Sequence, residues 1–79
     1  MSFFGEKLKQ CRLKYTKVGL SKFARQIGIL PSELNEMERG LLVPTSEQFV
    51  NNLIFKIFGN DNLEQRVKLY YLWRKESEK

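Results

Sequence analysis

Apolar residues recur every three or four positions along most of this chain, which is the spacing of a helix with one buried face. Near the N-terminus, Phe4, Leu8, Cys11 and Tyr15 follow that spacing and predict a first helix over residues 3–15. No segment alternates between apolar and polar residues as a half-buried strand would. The pattern therefore predicts an all-α chain, which divides into five helices.

Two short helices joined by a tight turn are predicted next, one over residues 20–27 and one from Pro31 up to Gly40. Gly28 ends the first of them, because glycine adopts a left-handed conformation at little cost. Pro31 suits the first turn of the following helix, where its missing N–H would be unbonded in any case. Ala24 suits a close approach of two helices. The apolar residues expected on the inner faces are Leu20, Phe23, Ala24, Ile27, Leu34 and Met37.

The fourth helix has a clear predicted start. The segment after Pro44 fits a capping box, in which Thr45 caps the helix and Gln48 reaches back to it. Gly59 and Asn60 end the helix. Its apolar residues cover a wide face and predict that it forms the centre of the core; they are Phe49, Val50, Leu53, Ile54, Ile57 and Phe58.

The fifth helix is predicted over residues 61–75, and residues 76–79 are expected to fray. Asp61 and Glu64 repeat the capping pattern at its start. Its apolar residues exceed what one helix edge readily buries, which favours a homodimer interface on this helix. The alternative is that the whole set closes the core of its own domain. The set comprises Leu63 and the four residues predicted to dimerise, Val67, Tyr70, Tyr71 and Trp73.

Length and composition predict one small domain, residues 1–79, with its core in residues 3–58. Cys11 is the only cysteine, which excludes an intrachain disulfide and fits a reducing compartment. With no histidine and one thiol, the usual zinc ligand sets cannot be assembled, and we expect neither a metal nor another cofactor. The N-terminus lacks the regions of a signal peptide, and no apolar run is long enough to span a membrane. We therefore expect a cytoplasmic protein with no membrane partner.

The net charge of +5 is unevenly distributed. Residues 1–30 carry seven basic side chains and one acidic, a net +6, whereas residues 31–64 carry two basic and six acidic, a net −4. Residues 65–79 carry five basic and two acidic side chains, a net +3. A basic N-terminal third could follow a phosphate backbone. The alternative is that these lysines and arginines only solvate helix surfaces.

From Phe4 to about Phe58 the chain resembles a helix-turn-helix domain of the phage lambda-repressor and Cro type. The resemblance rests on the order and separation of several short motifs. They are Leu8, Cys11 and Arg12 in the first helix, Phe23-Ala24 with Ile27-Gly28-Ile29, Leu34 with Met37-Glu38-Arg39-Gly40, and then Pro44 before the capped fourth helix. The resemblance implies that the second and third helices form the helix-turn-helix, and that double-stranded DNA is the partner.

The resemblance also implies roles for individual residues. Glu38 is expected to pair with Arg12 and fasten the third helix to the first. The third helix is expected to enter the major groove, where Asn35 suits adenine, Ser32 suits a base or a phosphate, and Glu36 suits a cytosine amino group. The residues that would face the groove are Pro31, Ser32, Glu33, Asn35 and Glu36. Those that would lie near phosphates are Lys14, Lys17, Gly19, Leu20, Ser21, Lys22 and Arg25.

The chain departs from the family pattern at several positions. Glu33 and Glu36 place carboxylates on the face that would approach a polyanion. Leu20 stands where family members often carry glutamine. Gly19 stands where serine or threonine commonly caps the second helix, and it is the weaker cap. Leu41 and Leu42 also stand where family members often carry basic residues.

Two functions follow as hypotheses. The leading one is a sequence-specific transcriptional regulator, a dimeric repressor or autoregulator that reads DNA with the third helix. The rival is a protein-binding helix-turn-helix module such as an antitoxin, antirepressor or adaptor, favoured by the acidic third helix and by the apolar loop of residues 41–43. An enzyme is not expected, because there is no histidine and no glycine-rich phosphate loop.

Overall fold

Five α-helices follow one another along residues 3–78, the part of the chain that the computed structural model describes. They are α1 (Phe3–Cys11), α2 (Leu20–Gln26), α3 (Pro31–Glu38), α4 (Glu47–Phe58) and α5 (Leu63–Ser77). A π-helical turn, Arg12–Thr16, continues α1. No strand occurs within residues 3–78. The predicted all-α class with five helices is therefore confirmed.

The core is centred on α4, as its wide apolar face predicts. The buried residues of α4 are Val50, Leu53, Ile54, Ile57 and Phe58. One cluster joins them to Phe4, Leu8, Cys11, Phe23, Ala24, Leu34, Met37, Leu69 and Trp73. Burying one large apolar side chain stabilises the folded state by about 1.5–3 kcal/mol. Because this cluster draws on every helix, each helix depends on the other four for its position.

α1 packs directly against the backbone of α3 at Gly5, which is buried. A Cβ atom built on Gly5 would lie 2.9 Å from the carbonyl oxygen of Glu38 and closer still to that of Met37. Cβ atoms essentially never lie this close to a carbonyl oxygen, so glycine is required for the two helices to pack at this distance. The spacing of apolar residues in the sequence does not reveal this contact.

The first helix differs from prediction at its C-terminal end. It was expected to continue to Tyr15, but a π-helical turn begins at Arg12. Thr16 donates its hydroxyl to the Arg12 carbonyl at 2.6 Å, and Lys17 then adopts a left-handed φ of 57°. The wider turn rotates Tyr15 away from the buried stripe of α1. The Tyr15 side chain is 36% exposed, and its ring packs against that of Phe58.

The turn between α2 and α3 is closed by hydrogen bonds around Gly28. The N–H of Ile29 donates to the Ala24 carbonyl at 3.0 Å, and the N–H of Gly28 donates to Arg25 at 3.2 Å. With Gly28 at a φ of 80°, this is a Schellman motif. Gly40 ends α3 in the same way, also at a φ of 80°. Both predicted glycine terminators are therefore confirmed, and the short connection is compatible with a helix-turn-helix.

The starts of α4 and α5 differ from the predicted capping boxes. Ser46 caps α4, since its hydroxyl accepts a hydrogen bond from the Phe49 N–H at 3.2 Å, so the cap lies one residue beyond the predicted Thr45. α5 begins after Asn62, which has a left-handed φ of 55° and makes no side-chain cap hydrogen bond. The predicted cap at Asp61 is wrong, because the turn at Asn62 separates Asp61 from the helix.

α5 is tied to the rest of the fold near its C-terminal end. The Glu76 carboxylate accepts a hydrogen bond from the Phe4 N–H at 2.8 Å and so caps the first turn of α1. Trp73 donates its indole N–H to the Pro44 carbonyl at 2.7 Å in the buried interior. α5 continues to Ser77, so the prediction that fraying begins at residue 76 is wrong. The tertiary contact of Glu76 accounts for the difference. Lys79, which was also predicted to fray, lies outside the described residues.

Candidate nucleic-acid interface

A buried ion pair positions the C-terminal turn of α3. Arg12 Nε lies 2.7 Å from one Glu38 carboxylate oxygen, and its Nη2 lies 3.0 Å from the other. The third guanidinium nitrogen, Nη1, donates to the Val18 carbonyl at 2.8 Å. The pair predicted for Arg12 and Glu38 is therefore present, with two parallel hydrogen bonds. It holds α3 against α1 and fixes the segment that leads into α2.

Burial on one side of α3 defines the face that remains for a ligand. Leu34, Met37 and Glu38 are buried. At about 100° of rotation per residue, the opposite side carries the exposed residues Ser32, Asn35, Glu36 and Arg39. We call these four residues the outer face of α3. Three of them were predicted to contact DNA, whereas the predicted Pro31 is half-buried at the first helical position.

Glu33 lies outside this outer face. Its carboxylate accepts a hydrogen bond from the Leu30 N–H at 2.9 Å, which is the side-chain half of a capping box. A carboxylate in the first turn also interacts favourably with the helix dipole. The two glutamates that the sequence placed on the DNA-facing side of α3 therefore differ in role. Glu33 caps its own helix, and only Glu36 points outward.

Arg39 is a member of the outer face that sequence reasoning missed. It follows Glu36 by three positions and Ser32 by seven, so the three side chains lie along one side of the helix. Its charge balances that of Glu36, which leaves the outer face with no net charge. The helical spacing of Arg39 from Ser32 and Glu36 is the sequence signal that identifies it.

The second group of predicted contacts lies on the exposed side of α2 and on the turn before it. Ser21, Lys22 and Arg25 of α2 are exposed, as is Lys17 in the left-handed turn. No carboxylate of the described residues lies within ion-pairing distance of Lys17, Lys22 or Arg25. α2 packs directly against α3. Positive charge without a carboxylate partner is therefore available on the helix that packs against α3 and on the turn before it.

Gly19 precedes α2 in an extended conformation, with φ −66° and ψ 163°, and provides no side-chain cap. A Cβ atom built on it would meet nothing within 4 Å. The weak cap predicted at this position is confirmed. The backbone already has the geometry that serine or aspartate adopts when capping a helix.

The loop after α3 exposes apolar surface, as the rival hypothesis requires. Leu41 is 66% exposed and Leu42 is 36% exposed, whereas Val43 is half-buried against the core. Leu30, at the start of α3, is 63% exposed. An apolar loop could instead fold one or two of its leucines back onto α4; the exposure of Leu41 excludes this for that residue.

The predicted dimer residues on α5 divide into two groups. Trp73 is 2% exposed and bonded to Pro44, so its assignment to a dimer interface is wrong: it closes the core of its own domain. Tyr70 is half-buried against Trp73, with ring centroids 5.6 Å apart. Val67 and Tyr71 are 57% and 56% exposed. The core-facing residue that the sequence reading missed is Leu69, which is fully buried.

The only thiol of the chain is a core group. Cys11 is 2% exposed, and burial raises the pKa of its thiol, an effect that the positive charges of Lys7 and Lys14 partly offset. A protonated, enclosed thiol is a poor nucleophile. Over residues 3–78, no group of three or more histidine, cysteine, aspartate or glutamate side chains is arranged to hold a metal ion.

None of the helices described between residues 3 and 78 combines the length and apolarity required to cross a bilayer.

Comparison of the chain with protein families, with curated proteins and with solved structures gives no match.

Proposed function

We propose that the protein is a sequence-specific DNA-binding transcriptional regulator, a dimeric repressor or autoregulator that places α3 in the major groove. The observation that carries the proposal is the division of α3 into two sides. Its inner side is fixed by Leu34, Met37 and the buried Arg12–Glu38 pair. Its outer face consists of exposed side chains that can form hydrogen bonds, and within residues 3–78 they make no side-chain hydrogen bond or ion pair.

The outer face suits the edges of base pairs. Asn35 can form two hydrogen bonds with adenine, and Arg39 can form two with guanine. Glu36 can accept from the amino group of cytosine, while Ser32 can bond to a base or a phosphate. Since these side chains occupy about two helical turns of one stripe, they reach successive base pairs in a groove that admits one helix.

The basic side chains of α2 and of the turn before it suit the phosphate backbone. Lys17, Lys22 and Arg25 are exposed and free of ion pairs with the described carboxylates, and Ser21 adds a hydroxyl donor between them. Contacts of this kind set the register and orientation of a protein on the duplex without reading sequence. Since Glu33 is bonded to the Leu30 N–H and lies off the outer face, Glu36 is the acidic side chain of α3 that would enter the groove.

The experiment is a selection of binding sites from random duplexes, followed by titration of the best site at several salt concentrations. We expect affinity to fall steeply with salt, because each neutralised phosphate releases counterions. Lys22→Ala and Arg25→Ala are expected to weaken binding to all sequences alike. Asn35→Ala is expected to relax preference at one base position, by about 1–3 kcal/mol.

The matched control is Lys56→Ala, which removes an exposed lysine of α4 and is expected to leave both affinity and sequence preference unchanged. Failure to retain any duplex at low salt, or affinity that does not respond to salt, would contradict the proposal.

The exposed loop supports the second candidate, a protein-binding module such as an antitoxin, antirepressor or adaptor. Leu30 and Leu41 are each more than 60% exposed, which favours a partner with an apolar surface. Leu41→Ser separates the two functions, because it removes apolar surface without changing charge. A DNA regulator is expected to keep its affinity for the selected duplex in this variant. The protein-binding module is favoured if the wild type binds no DNA but co-purifies with another protein, and if Leu41→Ser no longer retains that protein.

A further inference from the structure

A groove between α4 and α5 has apolar walls that the described part of the chain leaves uncovered. Its volume is about 360 Å³, within the range of pockets that hold small molecules. The residues that form its apolar walls are Ile54, Phe55, Leu63, Val67 and Tyr70. Three of them, Phe55, Leu63 and Val67, are more than half exposed. The groove therefore suits a compact apolar body.

Arg66 is the charged residue that lines this groove, and its hydrogen bonding is incomplete. The side chain is half-buried, and its Nε atom is enclosed without a hydrogen-bond partner. No other buried side-chain nitrogen or oxygen atom in residues 3–78 lacks a partner. Within these residues the guanidinium makes one hydrogen bond, from Nη2 to the Asn60 carbonyl at 3.2 Å. Leaving a buried donor unpaired is unfavourable, so an unpaired donor beside an open groove indicates a missing acceptor.

The charge of Arg66 is also unbalanced. Arg74, on the same helix, lies 4.0 Å from the carboxylate of Glu47, but no carboxylate of the described residues lies within ion-pairing distance of Arg66. Glu64 and Asp61 are the acidic residues nearest to it in sequence, and both are exposed and do not line the groove. The groove therefore combines apolar walls with one uncompensated positive charge.

We propose that the groove binds a small organic molecule with an apolar body and a single carboxylate, which Arg66 holds. A carboxylate is the acceptor that arginine binds with two parallel hydrogen bonds, and it balances the unpaired charge. Phe55 and Tyr70 supply aromatic rings against which the body of the molecule packs. A second carboxylate on the molecule would lie against apolar side chains without a partner, which is unfavourable. The site is separate from the proposed DNA-binding surface, because none of its lining residues belongs to α2 or α3.

Titration of the ¹⁵N-labelled chain with 4-phenylbutyrate, followed by NMR, tests the site. For a ligand of about twelve non-hydrogen atoms we expect a dissociation constant on the order of 1 mM or below. Backbone signals of Asn51, Gly59 and Val67 are expected to move, together with the Nε–H signal of Arg66. The matched ligand is 4-phenylbutyramide, which has the same shape without the charge and is expected to bind about tenfold more weakly.

Variants of the lining residues test the role of the guanidinium. Arg66→Gln is expected to raise the dissociation constant of 4-phenylbutyrate about tenfold. Lys68→Gln is the matched control, since it removes an exposed basic side chain of the same helix that does not line the groove, and no change is expected. Val67→Asp places a carboxylate on an exposed wall and is expected to abolish binding while the helical circular dichroism stays that of the wild type.

Three results would each overturn the proposal: no saturable binding of 4-phenylbutyrate, equal affinity for the acid and the amide, or unchanged affinity in Arg66→Gln. Binding of a peptide that ends in an apolar residue with a free carboxylate, in a chain that does not bind 4-phenylbutyrate, would assign the groove to a partner protein instead. These titrations contain no DNA, so their outcome is independent of the proposed regulatory function.

Discussion

At the residue scale, the Arg12–Glu38 pair fixes the inner side of α3. The side chains are only 5% and 3% exposed, so neither charge is solvated once its partner is lost. Removing one partner of a buried pair is strongly destabilising, whereas replacing both with apolar residues is often tolerated. The pair also orients α3 without occupying its outer face. Stability therefore depends on residues of α3 other than those proposed to contact DNA.

We expect Glu38→Gln to lower the free energy of unfolding by about 3 kcal/mol, because it leaves the Arg12 guanidinium buried without a counter-charge. Urea unfolding followed by the fluorescence of Trp73, the only tryptophan, measures the change. Glu47→Gln is the control: it removes an exposed ion pair to Arg74 of 4.0 Å and is expected to cost less than about 0.5 kcal/mol. A Glu38→Gln variant as stable as the control would show that the pair does not hold α3.

At the element scale, the two glycines next to the ends of helices have opposite environments. Gly5 lies where α1 meets the backbone of α3, with no room for a methyl group. Gly19 lies before α2 with open space around its Cα and with the extended backbone of a helix cap. The same chemical change, adding a side chain to glycine, should therefore have opposite signs at the two positions.

Gly5→Ala is expected to lower the stability by about 1–3 kcal/mol, because the helices must separate to admit the methyl group. Gly19→Ser is expected to raise it by a few tenths to about 1 kcal/mol, because serine caps α2 and restricts the unfolded chain. Thermal unfolding of the two variants beside the wild type gives both signs in one experiment. A stabilising Gly5→Ala would mean that α1 and α3 pack less closely than described.

At the scale of the whole molecule, the first and last helices close the same core. Phe4 and Leu8 of α1 and Leu69 and Trp73 of α5 belong to one cluster, and Glu76 caps α1 across almost the full length of the chain. Cys11 is buried within this cluster, so its thiol reports on the opening of the fold as a unit.

The stability of the wild type is expected to decrease above about pH 8.5, the ordinary pKa of a cysteine thiol. Burial raises the pKa of Cys11 in the folded state. The unfolded chain therefore loses its proton first, and the contribution of the neutral thiol, present at lower pH, is lost as the pH rises. Urea unfolding between pH 7 and 10 measures the slope. Cys11→Ala has no thiol, and its slope over this range is expected to be smaller; equal slopes in the two proteins would contradict the assignment.

Local patterns in the sequence were sufficient for much of the fold. Apolar spacing predicted five helices and the central position of α4, and Gly28 and Gly40 marked the ends of α2 and α3, because these features depend on residues close together in the chain. The resemblance to a known family implied the Arg12–Glu38 pair. The residues predicted to meet DNA lie mostly on exposed surfaces, but their contact with DNA stays a prediction.

Tertiary structure decided what local spacing cannot specify. Whether an apolar residue of α5 faces inward depends on where α1 and the loop at Pro44 lie, which is why Trp73 is buried while Val67 remains exposed. The clearance at Gly5 depends on a carbonyl more than thirty residues away. The free surface of α3 likewise depends on which side the core covers and on the bond that engages Glu33. Local amino-acid order determined the number and approximate positions of the helices, whereas their exact ends and the assignment of their faces required the packing of all five.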